Sequence, residues 1–198
     1  LNRVVLLREF ASRELKLPDN QSYTSYADLD RPYVVWNVFA SPALSLTLKQ
    51  WCFIQAGCVS YRGFFSQASA EHYAETLRNE GYDVYVGGIR AYSTLGWFSD
   101  PVLNTFLGYS EMELARLIFH ELAHQVVFVP NDSVFNESFA TAVEREGIRR
   151  WFERKGMPSE QAAVTARQER EAVFTRLILN HRKRLEALFA SDLSDSPT

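Results

Sequence analysis

At 198 residues the chain is long enough for one sizeable hydrophobic core and too short to argue for two. A composition of 46% hydrophobic and 23% charged residues excludes a disordered chain, and a net charge of −3 with a pI near 5.9 gives no electrostatic case for a nucleic-acid partner. No run of about 18 apolar residues is present, so no helical membrane span is expected.

The first predicted element is a helix over residues 4–15. The chain opens at Leu1, without methionine and close to that helix, so a removed upstream segment is expected. Residues 33–39 have strong strand character, and 51–54 with 59–65 read as a hairpin. The only cysteines, Cys52 and Cys58, stand in that hairpin. A turn between them would let the sulfurs meet in a disulfide suited to an oxidising compartment; two small buried thiols are the other reading. No second cysteine pair accompanies them, which argues against a metal site there. Residues 66–79 read as a helix ended by Gly81, and 82–91 as a strand.

Ser110-Glu111-Met112-Glu113 then reads as a capping box, followed by an apolar-periodic run with no breaker before Pro130. Inside this helix lies His120-Glu121-Leu122-Ala123-His124. Residues four apart share a helix face, so both imidazoles can reach one tetrahedral zinc ion. Glu121 projects beside the position a water would take, as its general base. The competing reading is a core helix with two hydrogen-bonded, metal-free histidines, a costly burial unless something pairs with them.

Zinc needs a third protein ligand, and the remaining histidines, His72 and His181, stand in no ligand-like setting. A carboxylate is therefore favoured. Asn131-Asp132-Ser133 supplies turn and N-cap chemistry for a second helix that runs to Gly147 or beyond. At about 1.5 Å per residue, the first helix descends roughly 7 Å from His124 to the turn and the second climbs the same height to Glu137. Glu137 thus returns to the level of the histidines as the expected third metal ligand. Glu144 lies about two turns further on the same face, where it could accept the proton of a ligand histidine. The plainer alternatives are an exposed helix-start acid for Glu137 and a surface ion pair for Glu144.

After the turn 155–158, Ser159 is a good N-cap for a long helix to about Phe189. Its apolar positions Ala162, Val173, Leu177, Leu185 and Leu188 fit a helix packed beneath the helical hairpin, and His181-Arg182-Lys183-Arg184 reads as a solvated face. Residues 191–198 are polar and expected to be disordered, leaving 1–190 as a single domain.

His120-Glu121-Leu122-Ala123-His124-Gln125, followed by Asn136-Glu137-Ser138-Phe139-Ala140 and Glu144, resembles the HELAHQ and NEGFA pair of the gluzincin aminopeptidases. In those enzymes the glutamate after asparagine is the third zinc ligand. The link of 12 residues between His124 and Glu137 is shorter than theirs. Leu17-Pro18-Asp19-Asn20 with Ser22-Tyr23, the stretch from Trp51 to Gly63, and Tyr92-Ser93-Thr94-Leu95-Gly96-Trp97-Phe98 are similar to a bacterial family of zinc-dependent aminopeptidases.

The resemblance implies an α+β, zincin-like fold: a mixed β-sheet over an active-site helix, with a helical lower half. It implies a zinc metallopeptidase acting on peptide or protein substrates in the cell envelope, periplasmic or anchored as a lipoprotein by a removed N-terminal segment. In such folds an edge strand takes the substrate backbone by β-augmentation, and residues 84–91 with Gly87 and Gly88, together with Tyr92, are the substrate-binding candidates. A bulge or turn at the paired glycines is the other reading. Tyr92 and Tyr109 are the candidates for oxyanion stabilisation, and no acidic motif for a substrate's free amine is recognisable. The alternative class is a catalytically silent zinc protein that binds peptides or serves as an envelope scaffold.

Overall fold

The computed structural model describes residues 1–53, 57–91, 93, 94 and 96–191. In chain order the elements are α1 (Asn2–Arg13), β1 (Tyr26–Ala27), β2 (Val35–Pro42), β3 (Trp51–Phe53), β4 (Gly57–Val59), β5 (Arg62–Phe64) and α2 (Gln67–Asn79). Then follow β6 (Tyr82–Ile89), β7 (Val102–Leu103), α3 (Asn104–Leu107), α4 (Glu111–His124), α5 (Ser133–Arg154) and α6 (Pro158–Ala190). The chain is a mixed α+β protein whose contacts divide into two compact units, residues 1–34 with 88–164 and residues 35–87 with 165–198. The expected tail lies, from residue 192, outside the described residues.

The first unit is built around α4. Its capping box forms as expected: the Ser110 side chain accepts from the Glu113 N–H, while Glu113 accepts from the Ser110 N–H at 3.1 Å. Leu114, Ala115, Ile118, Phe119, Leu122 and Ala123 are fully buried. Burial of each large apolar side chain contributes about 1.5–3 kcal/mol. They meet Leu7, Phe10 and Ala11 of α1 and Ala140, Ile148 and Phe152 of α5 in one apolar cluster. The Phe10 ring lies 5.9 Å from that of Phe119 and stands edge-on to Trp151 at 5.1 Å. Gly147 lets α5 run this close, since a Cβ there would fall 2.6 Å from Phe119 Cδ2 and 2.7 Å from Leu15 Cδ1. β1 and β7 form a short parallel pair, Tyr26 opposite Val102 and Ala27 opposite Leu103.

The second unit carries a three-stranded sheet in the order β5-β2-β6 and a separate β3-β4 pair. Here the expected hairpin is corrected. Its first arm, β3, pairs only with β4, whereas β5 lies antiparallel to β2, with Trp36 opposite Phe64 and Val38 opposite Arg62. Joining β2 makes β5 part of a three-stranded sheet, whereas an isolated two-stranded hairpin is marginal in water. Cys52 and Cys58 stand directly opposite each other and are bridged, with S–S 2.01 Å. α2 begins at an Ser66 N-cap and sets its Ala70, Ala74 and Leu77 stripe on β2 and β5.

Two further expectations are corrected. α1 is displaced by two residues towards the N-terminus and ends before Lys16, whose φ of 57° continues no right-handed helix. The apolar positions of α6 do not pack: Ala162, Val173, Leu177, Leu185 and Leu188 are exposed. Val173, Phe174, Leu177 and Ile178, with Leu185 and Leu188, fall on one stripe of the helix at about 100° per residue, and that stripe stays exposed. No helix among the described residues is long and apolar enough to cross a membrane.

Candidate metal centre

The histidines of α4 and the acid of α5 come together because the link between the helices is pinned. Asn131 takes a left-handed φ of 65°, and the Asp132 carboxylate accepts from the Phe135 N–H at 2.9 Å, which caps α5. Asn136, buried within the first turn, closes the link with two hydrogen bonds of 2.8 Å, donating to the Val129 carbonyl and accepting from the Val129 N–H. The next residue, Glu137, is thereby fixed across from the end of α4. Its Oε2 lies 3.3 Å from His120 Nε2 and its Oε1 3.5 Å from His124 Nε2, and the two Nε2 atoms are 3.1 Å apart. One donor atom from each of the three residues lies within 4.8 Å of the others.

These separations test whether the residues fit a cation. Bonds of about 2.0–2.1 Å to a tetrahedral ion hold neighbouring donor atoms about 3.3 Å apart. The two imidazole nitrogens stand 3.1 Å apart and each faces a different Glu137 oxygen at 3.3 and 3.5 Å, so the carboxylate turns both oxygens towards the same point. His120 Nδ1 donates to Glu144 Oε2 at 2.9 Å, so a neutral His120 presents Nε2 as a bare lone pair. A carboxylate and two imidazole nitrogens turned to one point repel unless something positive stands between them. Glu137 is 64% exposed while His124 is 8% exposed, so the cluster is open on the Glu137 side.

Around this triad the side chains are held in depth. Glu144, 6% exposed, also accepts from Arg116 Nε at 2.7 Å, so the carboxylate that orients His120 is itself clamped. Arg116 was not singled out by the sequence, although it stands one helical turn before His120. Burial works against a charged His120 ring, but the Glu144 hydrogen bond and the Glu121, Glu144 and Glu137 carboxylates outweigh it and raise its pKa. Burial, with His120 alongside, lowers that of His124. Burial pushes the Glu121 carboxyl up to about 7; His120 opposes the shift, while Glu137 and Asp100 add to it.

A second layer reaches the site from α1 and the loop after it. Arg8, 5% exposed, donates to the carbonyls of Ser22 (3.0 Å), Pro18 (2.6 Å) and Asn20 (2.9 Å), to Asn20 Oδ1 (3.2 Å) and to Ser12 Oγ. Asn20 Nδ2 in turn donates to Gln125 Oε1 at 2.7 Å, tying the loop to the residue after His124. The signal for Arg8 was present: it falls on the face of α1 that carries Val4, Leu7 and Ala11.

The remaining candidates are placed as follows. Gly87 and Gly88 lie within β6, an edge of its sheet, and a Cβ on Gly88 would collide with the Tyr33 ring at 2.4 Å. The close approach there is made by an aromatic ring. Tyr92 lies outside the described residues. Tyr109 precedes the N-cap of α4, about 16 Å along the axis from His120. It packs beside Phe106 and bonds to Arg90, so it is not gathered with the histidines.

An α+β protein with two histidines and a carboxylate converging on a helical hairpin has the donor set of a mononuclear metal centre. Residues 1–198 match the model of the family described as "Putative aminopeptidase", and the chain belongs to that family, whose description is that of a peptidase. No curated protein and no solved structure matches the chain.

Proposed function

We propose that this protein is a zinc-dependent metallopeptidase of zincin-like architecture, with zinc held by His120, His124 and Glu137. The observation that carries the reading is the convergence of the three side chains, the two Nε2 atoms 3.1 Å apart and each 3.3 to 3.5 Å from a Glu137 carboxylate oxygen, beside a half-buried Glu121. Zinc bound there supplies Lewis-acid chemistry, polarising a scissile carbonyl and making water acidic near neutral pH. Glu144 and Arg116 keep His120 in the tautomer that donates from Nδ1. Glu121, with a carboxyl near neutrality, takes the proton of the attacking water and returns it to the leaving amine. The family description favours an aminopeptidase. The Cys52–Cys58 bridge is in keeping with an oxidising compartment, such as the cell envelope.

Two measurements test this reading. Protein purified without added metal should carry near-stoichiometric zinc that Glu137→Ala loses. In a peptide-library assay, Glu121→Gln should keep the zinc and lose about 10²- to 10⁴-fold in kcat. A zinc-free wild type, or a fully active Glu121→Gln, would sink the proposal.

A further inference from the structure

Exposed apolar side chains of the first unit gather beside the metal centre. Among the described residues from 88 to 164, every large hydrophobic side chain left exposed lies in one of two stretches, 97–98 or 126–135. Trp97 is 85% exposed, Phe98 75% and Val134 81%. A single exposed apolar residue needs no explanation, whereas several gathered at one place mark a surface that something apolar covers.

Both stretches are anchored to the helices that carry the site. Glu121 and Gln125 stand four residues apart on one face of α4, Gln125 at its C-cap. Gly96 lies against that face: a Cβ built on it would fall 3.5 Å from Cγ and Cδ of Gln125, and its φ of 83° favours glycine. Gln125 is itself held, its Oε1 accepting from Asn20 Nδ2 at 2.7 Å and its Nε2 donating to Ser22 Oγ at 3.4 Å. Thr94 braces the turn. Its carbonyl accepts from the Trp97 N–H at 3.1 Å, while its hydroxyl accepts from the Phe98 N–H at 3.1 Å and donates to the Phe98 carbonyl at 3.2 Å. Trp97 and Phe98 are therefore held in water next to the Glu121 face of α4.

The second stretch joins α4 to α5. It begins two residues after His124, and Val134 lies three residues before Glu137, one turn away on the same face of α5. Neither stretch holds a lysine or arginine, and the one acid, Asp132, is engaged in capping α5. An acidic substrate side chain laid here would lose water without gaining a cation. An aromatic or branched aliphatic one would cover apolar surface that is already fixed in place, so little ordering would oppose its binding.

We propose that Trp97 and Phe98, with Val134 on the α5 side, form a subsite for a large apolar side chain, so that the protein selects peptides with a phenylalanine- or leucine-like residue beside the bond it cleaves. The inference rests on the peptidase reading above and names its substrate class.

The test uses two peptides of one length that differ only in a phenylalanine or an alanine beside the cleaved bond. In wild type, kcat/KM for the phenylalanine peptide should exceed that for the alanine peptide by about 10- to 100-fold. Trp97→Ala should cut that ratio about tenfold, Trp97→Phe should hold it within about threefold of wild type, and both should keep the zinc content of wild type. Calorimetric binding to Glu121→Gln, alone and combined with Trp97→Ala, should show the same preference in Kd without turnover. Equal kcat/KM for the two peptides in wild type, or a ratio untouched by Trp97→Ala, would overturn the subsite and leave the peptidase reading standing. A phenylalanine preference in binding that depends on Trp97, beside a wild type that cleaves neither peptide, would keep the surface and sink the peptidase reading. Self-association of wild type that Trp97→Ala abolishes, with the ratio unchanged, would assign the surface to a second copy of the chain and overturn the proposal.

Discussion

The two units solve the problem of the interior differently. Arg8, Ser22, Asp100, Thr105, His124, Asn136 and Glu144, the fully buried polar or charged side chains among the described residues, all belong to the unit of residues 1–34 and 88–164. The unit of residues 35–87 and 165–198 buries Val35, Trp36, Val38, Ala40, Ala70, Ala74 and Leu77, and adds the Cys52–Cys58 bridge. Apolar packing is non-directional, and a core of this kind tolerates a range of side chains of similar volume. Buried polar groups are expensive unless each finds its partner, and in exchange they fix orientation. A site whose donor atoms must stand about 3.3 Å apart requires the second kind of interior.

The contrast breaks first at Arg8. Its guanidinium reaches five acceptors, three of them main-chain carbonyls of the loop that carries Tyr23. Arg8→Met keeps the apolar length of the side chain and leaves those carbonyls without their donor. Chemical denaturation should show a loss of about 3 kcal/mol or more. A change below about 0.5 kcal/mol would mean that the polar interior is decoration on an apolar core.

The bridge in the other unit is the next largest effect. Cys52 and Cys58 are six residues apart, and closing so short a loop stabilises by about 2 kcal/mol on chain entropy. The Cys52→Ser, Cys58→Ser double variant should lose that amount in denaturant while keeping the zinc proposed for the site, because all three donors belong to the first unit. Zinc lost along with the bridge would show that the two interiors are not independent.

This difference also governs what could be read from the chain alone. α2 with its Ser66 cap, α4 with its capping box, and the return of Glu137 to the histidines follow from local rules that act within about 15 residues, and these were legible. The neighbours of Glu121 were not. Ser93, Asp100 and Tyr23 lie 21 to 98 residues away, on loops without periodicity, and nothing local announces so distant a neighbour. The pairing of β5 with β2 instead of the Trp51 arm was not legible for the same reason, since strand partners are chosen by tertiary context. The exposed stripe of α6 is the opposite failure: an apolar pattern that promised a packed face and has none.

The smallest effect tests whether burial, rather than a perturbed carboxylate as such, distinguishes the groups that matter. Glu146 sits two residues after Glu144 on α5, and hydrogen bonds from Arg149 and Arg150 hold its carboxyl down to about 2 against an ordinary 4.5. A folded pKa lowered in this way contributes stability that is present above the unfolded value and is lost as pH falls from about 4.5 towards 2. Yet the Glu146 side chain is 44% exposed, so water and salt screen the pair. Glu146→Gln should therefore change stability at pH 7 by no more than about 0.5 kcal/mol, and even that should fade in 1 M salt, where the screening length shrinks to about 3 Å. Melting curves of the variant and wild type from pH 2 to 7 would measure it. A salt-resistant loss well above that figure would place an exposed ion pair level with the buried ones, and the contrast between the two kinds of interior would then no longer explain where this protein keeps its chemistry.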